Sequence, residues 1–528
     1  MKRKMRGSRL ILAIAVVLLA AAGCGGGGGG GQGSGGGGQG GGNNLVVGYQ
    51  EEPKILNGYI VGGDLLATAD MISGILESPL QIQPDLSYAP ELTDGDPKVV
   101  SEDPLVIEYK LREGLKWSDG KPLTSADAKF TYEQIMNPDN QIITRIGWEK
   151  VEKFETPDER TVRLSFSEPY APWRDMLVDE ILPKHVYEGK DFNKALNNEV
   201  VGSGPFKLRE WRKGESFVVE RNENYWGEKA PLDSVTFRFI PDSNSLITAL
   251  TSGEVDFINP PPDIGLQERL EGIEGAKVLS EVGTQWEHLA FNTEKVNNLK
   301  LRQAIAYGID REQIVNEVLK GQVEPLQSVL MPEQGKYYAP AWEEYTFDQG
   351  KARQLVEEAK AEGAATKIVY TTTTGDKLRE TLQQVVQKQL GDIGLEVEIR
   401  NASAETFYGE WTPAGDYELG EWNWFTSPDP QVTTLFSANQ IPPKGQNYYR
   451  YGNEEVAELL ERSDVTANEE ERAELLTRAQ EIMAEDVPLI PLYQVPYVYA
   501  HDEAISGPEV NPTLAGAFWN IGKWSLQR

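Results

Sequence analysis

The residues best suited to hold a small molecule lie between positions 420 and 430, in the run Gly-Glu-Trp-Asn-Trp-Phe-Thr-Ser-Pro-Asp-Pro. Trp422, Trp424 and Phe425 place three aromatic rings within four residues. Rings bury much ligand area at little cost in conformational entropy. Asn423, Thr426, Ser427 and Asp429 set hydrogen-bonding groups beside them, a mixture suited to a backbone-like ligand. The prolines at 428 and 430 give the stretch the character of a loop at the mouth of a cleft. Trp286 is a further candidate, as is Tyr449 in the run Asn-Tyr-Tyr-Arg-Tyr-Gly-Asn. For every ring the competing expectation is simple packing of a core, because tyrosines alternating on a strand bury one face. Arg450 offers a bidentate fork for a ligand carboxylate or for a surface ion pair.

The same inventory argues for a binder and against an enzyme. His185, His288 and His501 are the only histidines, and none sits in a metal-ligand pattern. His288 lies in an apparent strand, where a satisfied structural histidine is the expectation. Cys24 is the only cysteine, so the folded body holds no thiol nucleophile and no cysteine-zinc site. A Ser/His/Asp site or a carboxylate pair is not excluded by spacing, since such residues meet only in space. No cofactor and no metal are expected.

The start of the chain says where it resides. Lys2, Arg3, Lys4, Arg6 and Arg9 precede an apolar run from Leu10 to Ala22, then Gly23-Cys24. A basic flank, about a dozen apolar residues and small residues before a cut describe a secretory signal over residues 1–23. The run is short of the ~20 residues that a membrane span needs. Ala21-Ala22-Gly23-Cys24 resembles the cleavage box of bacterial lipoproteins, with Leu19 two residues earlier than the usual leucine. Residues 24–44 are mostly glycine, with Gln, Ser and Asn among them, a tether with nothing to bury and a mean reach of ~25 Å. A lipid on Cys24 would then hold the body outside the cytoplasm, in the periplasm or at the outer face of the cell membrane.

About 485 residues remain, enough for two or more lobes. Removing the five basic residues of the leader leaves 46 Lys+Arg against 82 Asp+Glu. So acidic a surface excludes nucleic-acid binding and disfavours adhesion to anionic lipid, so attachment rests on the anchor.

Several elements must position these groups. Leu45–Gly48 reads as a first strand, and Asp64 as the cap of a following helix. Leu105, Ile107, Tyr109 and Leu111 alternate as a half-buried strand before the turn signal Asp119-Gly120. Thr124 and Asp127 make a capping-box start for a helix that Asn137-Pro138 ends. A strand pair follows at 151–155 and 161–165, and Val235, Phe237 and Phe239 mark another strand. Gly202-Ser203-Gly204 lacks the third glycine or the Lys-Ser/Thr that would complete a phosphate loop. From about Gln285 helices and strands alternate with short glycine connections, including a helix capped by Asp348 and a helix over Leu378–Val386.

The stretch LREGLKWSDGKPLTSADAKFTYE closely resembles the signature region of family 5 of the bacterial extracellular solute-binding proteins, the receptors of oligopeptide- and dipeptide-type ABC importers. GSGPFKLREW, NENYWGEKAPLDSVTFRFIPDSNSLITALTSGEVDF, HLAFNTEKVNNLKLRQAIAYGIDREQIV and DVPLIPLYQ resemble further segments of that family, so the resemblance runs from about 45 to 495. It implies an α/β, two-lobed periplasmic-binding-protein fold of the large cluster C type, with mixed sheets, a hinge and an inserted domain. Residues 45–73, 202–284 and 500–528 would form lobe I, 74–201 the inserted domain and 285–499 lobe II. It also implies a monomer that closes on its cargo and hands it to an ABC permease. Peptides are the leading cargo. In peptide-binding members an Asp shortly before the Asp-Pro pair anchors the ligand's amino group, whereas this chain has Thr426 and Ser427 there. An oligosaccharide is therefore the alternative cargo, and a non-transport envelope lipoprotein or chaperone the alternative of another class.

Overall fold

The computed structural model of the chain describes residues 43–527, apart from 64, 65, 198 and 264. The residues expected as a secretory leader, Cys24, the expected tether up to residue 42 and the cap assigned to Asp64 lie outside the described residues, and Asn44, expected as the tether's last residue, instead opens the first strand.

Strand β1 (Asn44–Tyr49) is followed by a hairpin of β2 (Leu80–Ile82) and β3 (Tyr88–Pro90). Next come β4 (Lys98–Glu102), β5 (Leu105–Lys110), β6 (Val151–Glu155) and β7 (Thr161–Phe166), an antiparallel sheet in the order β4-β5-β7-β6. The period of two in β5 buries Leu105, Ile107 and Tyr109 on one face. The Thr124 N–H donates to Asp127 Oδ2 at 2.8 Å, so the helix Ser125–Met136 begins with the carboxylate half of a capping box. This body closes around its own core, with Ile107, Trp117, Phe166 and Trp173 among its members.

The chain returns at Gly202-Ser203-Gly204. A Cβ on Gly202 would lie 1.9 Å from the carbonyl oxygen of Ile75, so only glycine lets these backbones meet. The Gly204 N–H donates to that same oxygen at 2.9 Å. These glycines serve chain packing.

Then follow β8 (Phe206–Arg212), β9 (Ser216–Arg221), β10 (Ser234–Phe239), β11 (Phe257–Ile258) and the long β12 (Ala276–Phe291). Beyond it lie β13 (Lys367–Thr371), β14 (Glu396–Ile399), β15 (Leu419–Phe425) and a second long strand, β16 (Leu489–Asp502). With β1 they make one mixed sheet ordered β14-β13-β15-β12-β16-β11-β1-β10-β9-β8.

Burial divides that sheet into two lobes. Leu289 and Phe291 of β12 and Leu489–Val495 of β16 pack with Ile305, Leu382 and Met483. Tyr497 and Tyr499 of β16 instead join Leu45, Val47, Phe237 and Phe257, while Val498 and Ala500 cover the other face with Leu246 and Leu270. The register of β12 on β16 breaks between Val282 and Trp286, where the cores part. The predicted two-lobed α/β architecture with an added body is present. On β16 the packing changes hands between Val495 and Tyr497, beside the expected return at about residue 500.

Candidate functional site

Ligand crevices form outside the carboxyl ends of parallel strands. Here β1 runs parallel to β11, and β13 parallel to β14 and β15. Two antiparallel steps through β16 make β11 run with β12, from the first lobe toward the second. β15 pairs antiparallel with β12, so it and β13 run back toward the first lobe. Both sets of carboxyl ends therefore point into the junction between the lobes.

The segments leaving those ends meet there. Lys54, following β1, lies 3.4 Å from Glu405, following β14. Phe425, at the end of β15, packs against the core of the first lobe. Glu51 and Tyr408 are exposed to solvent, yet burial among neighbouring atoms raises the pKa of each. Access combined with desolvation is what a wall of a narrow crevice experiences. Along β16 the hydroxyls of Tyr493, Tyr497 and Tyr499 make no hydrogen bond to the described residues, although buried phenols normally find one. Asp376 acts electrostatically on Tyr493, and Asp70 acts on Tyr497 and Tyr499, so this row passes from one lobe to the other. Asp70 accepts a hydrogen bond from Tyr49 at 2.7 Å, and burial pushes its carboxyl up to about 7.

Behind the second lobe's wall lies a buried ionic cluster. Arg379 grips Glu287 through Nε–Oε1 at 3.1 Å and Nη2–Oε2 at 3.0 Å. Arg379 Nη1 reaches Tyr408 Oη at 3.1 Å, which ties this pair to the crevice. Tyr370 donates to Glu421, whose carboxyl is raised well above the usual range by burial and by the nearby charge of Glu287.

The aromatic run expected as a loop is the strand β15, in the interior of the sheet. Ring-rich residues suit a pleated surface, and the prolines at 428 and 430 act only after the strand has ended. Three residues expected to line the cleft are core instead. Trp286, Trp422 and Tyr449 are at most 1% exposed. Trp422 packs against His288, Phe407, Tyr417 and Tyr449. Tyr449 Oη lies 2.7 Å from His288 Nε2 and accepts from Trp424 Nε1 at 2.9 Å, which makes His288 the structural histidine expected. The cause is the packing of the second lobe over this part of the face, which seals Trp422, while Trp424 two residues on is covered only in part.

The remaining predicted residues lie nearer the junction. Trp424 is half-buried and stacked on Tyr448 at 5.8 Å. Asn423 and Phe425 take the opposite face, with Asn423 paired across the sheet to Glu287. Thr426 is buried, and its N–H donates to Thr284 O at 2.9 Å. Ser427 is half-buried, and its carbonyl accepts from Gln334 Nε2 at 2.8 Å. Asp429 is held by Arg472. Arg450 donates to the carbonyl of Pro413, and Cys24 lies outside the described residues. Sequence reasoning missed Glu51, Lys54, Asp376, Glu405 and Tyr408. Their only signal was position just after the ends of strands that periodicity identifies.

A separate open pocket of about 660 Å³ runs along Val278–Glu281, lined also by Pro84, Asp85 and Val510, and shares no lining residue with this crevice. Among the described residues no group of three or more His, Cys, Asp or Glu side chains is arranged to hold a metal.

Residues 82–443 match the model described as bacterial extracellular solute-binding proteins, family 5 middle. The oligopeptide-binding protein AppA of Bacillus subtilis (strain 168) is 27% identical over 516 residues, covering 92% of each chain. The glutathione-binding protein GsiB of Salmonella typhi is 26% identical, over 79% of this chain and 83% of its own. The solved structure of AppA from Bacillus subtilis in complex with a nonapeptide superposes with a TM-score of 0.82, at 26% identity over 92% of this chain and 99% of that one. The periplasmic EDTA-binding protein EppA superposes with a TM-score of 0.84 over 92% of this chain and 97% of that one; at 22% identity it shares the fold. The family match spans more than half of the sequence, and the chain belongs to family 5 of the bacterial extracellular solute-binding proteins.

Proposed function

We propose that this protein is the receptor of an ABC importer, which captures peptides between its lobes and delivers them to a membrane permease. The carrying observation is the junction where strand ends from both lobes face one another, in a fold that matches a relative solved with a nonapeptide. β13 pairs with β15 only at Leu419 and Gly420 and Thr372 Oγ1 donates to Glu421 O at 3.0 Å, so the stretch of β15 from Asn423 to Phe425 has no strand paired on that side and can take an added one. An extended peptide can satisfy that edge through its own backbone, which gives affinity with broad side-chain tolerance. Asn423, Trp424, Phe425 and Ser427 contribute to one wall in this reading, and Glu51, Asp376 and Tyr408 to the other parts, with the buried β16 tyrosines behind them. Thr426 and Asp429 support the wall from behind. Lobe I comprises 45–73, 202–284 and 500–528, the inserted domain 74–201 and lobe II 285–499. Closure is useful only when cargo touches both lobes.

The protein works as a monomer, held by a lipid on Cys24 at the outer face of the cell membrane or in the periplasm, and performs no catalysis. Native mass spectrometry of the full-length protein, released from detergent after growth in rich medium, tests the cargo. Bound masses that fragment into amino-acid residues support peptides. Masses spaced by hexose or pentose units replace them with oligosaccharides.

A further inference from the structure

A cluster of carboxyl groups lies at the seam between the inserted body and the second lobe. Asp175, on the inserted body, accepts a hydrogen bond from Tyr88. Asp429, on the segment after β15, donates its backbone N–H to that same Tyr88 Oη at 3.1 Å. Its carboxylate is held by Arg472 of the helix Glu469–Asp486, whose Nη2 also donates to Pro430 O at 2.8 Å. Asp464, in the helix Glu454–Val465, feels the same guanidinium. Its backbone carbonyl accepts the Ala171 N–H from across the seam at 2.7 Å.

Three carboxyl groups thus share one buried cation. The other charges that reach them are engaged elsewhere: Lys150 with Glu168, Lys336 with Glu469, and Arg174 over the Trp173 ring at 4.3 Å. Tyr170 and Tyr337 are the remaining titratable groups that face the cluster, and Asp175 Oδ2 makes no hydrogen bond to the described residues. Carboxylates packed together at low dielectric with one counter-charge cannot all ionise. Burial and the charge of Asp429 hold Asp175 well above the usual carboxylate range, and burial pushes Asp464 up to about 6. Asp175 and Asp429 are each partly exposed, so a separation of the lobes that widens their access to water favours their ionised forms.

We propose that the seam where Tyr88 links Asp175 to Asp429 makes closure of the cleft a proton-linked step, in which the joined lobes retain a proton that the open molecule releases. The proposal rests on the hinged-receptor reading, which supplies the motion. The closed form is then favoured on the acid side and disfavoured as pH rises, by at most ~tenfold per pH unit for one proton. Acidity outside the cell would tighten the receptor on whatever it carries.

The test uses a fluorescence-transfer pair, one dye on the inserted body and one on the second lobe of the full-length protein, read from pH 5 to 8.5 without peptide. Wild type is expected to open as pH rises. Asp175→Asn should stay in the acidic form's distribution throughout. Glu91→Gln removes a desolvated carboxyl of the inserted body and should respond as wild type does. Asp429→Asn removes the neighbouring charge from the other side and should make the profile shallower without abolishing it, since burial still acts on Asp175, which keeps the test decisive if Asp175→Asn misfolds. A wild type whose distribution ignores pH, or carboxamide variants that open as wild type does, overturns the proposal. The readout contains no cargo, so failure of the peptide reading leaves its result standing.

Discussion

Lys54 in the first lobe and Glu405 in the second form an ion pair of 3.4 Å across the cleft, though their side chains are 57% and 78% exposed. Pairs this wet contribute little to stability, about 0–1 kcal/mol, and are screened by salt. Lys54→Ala should therefore leave the unfolding midpoint nearly unchanged. Its effect belongs to cargo affinity, which should shift at low ionic strength and match wild type near 0.5 M salt. Isothermal titration at the two salt concentrations checks this.

Two tryptophans, two positions apart on one strand, should respond in opposite ways. Trp422 is sealed in the second lobe's core, so Trp422→Ala should cost about 3–5 kcal/mol of folding free energy, read by urea unfolding. Trp424 is half-buried at the junction. Trp424→Ala should spare most of that stability and weaken cargo binding by about tenfold or more. Equal stability losses in the two variants would place both rings in the core.

Arg379 neutralises Glu287 in a place where both side chains are no more than 7% exposed. Arg379→Ala leaves Glu287 and Glu421 facing each other without a cation, and should cost about 3–5 kcal/mol. Replacing Glu287 by Gln as well should recover a large part of that loss, because the stranded charge goes with it. A double-mutant cycle in urea measures the coupling.

These positions also mark what the sequence could and could not convey. Local rules were legible: the alternation in β5, the Thr124–Asp127 helix start and the Asp348 cap, whose carboxylate accepts the Lys351 N–H at 2.9 Å. They depend on neighbours within a few residues. The partition of rings between core and cleft was not legible, because both faces of β15 meet other parts of the fold and alternation alone does not say which is sealed. Glu51 and Asp376 were invisible among 82 acidic residues, since what distinguishes them is the end of a strand facing another lobe. The link from Asp175 through the Tyr88 hydroxyl to the segment after β15 joins two bodies that the chain visits far apart, and no spacing rule reaches that far.

Asp70 provides the clearest dependence on pH. Its carboxyl is buried beneath Tyr49, and desolvation pushes it up to about 7, against about 3.9 for a free carboxyl. Between those values the folded chain keeps a proton that the unfolded chain has lost. Unfolding free energy therefore falls as pH rises, by at most ~1.4 kcal/mol per pH unit from this group, and the loss is complete once pH passes about 7. Glu91 and Asp179, each pushed up to about 7 by burial, act with the same sign. Wild type should thus be more stable at pH 5 than at pH 8. Asp70→Asn removes one of these titrations while keeping a group that can accept from Tyr49. Its stability relative to wild type should rise from pH 5 to about 7 and then level off in urea unfolding curves. A constant difference across that range would mean that Asp70 is already ionised in the folded protein, with the Tyr49 hydroxyl offsetting its burial.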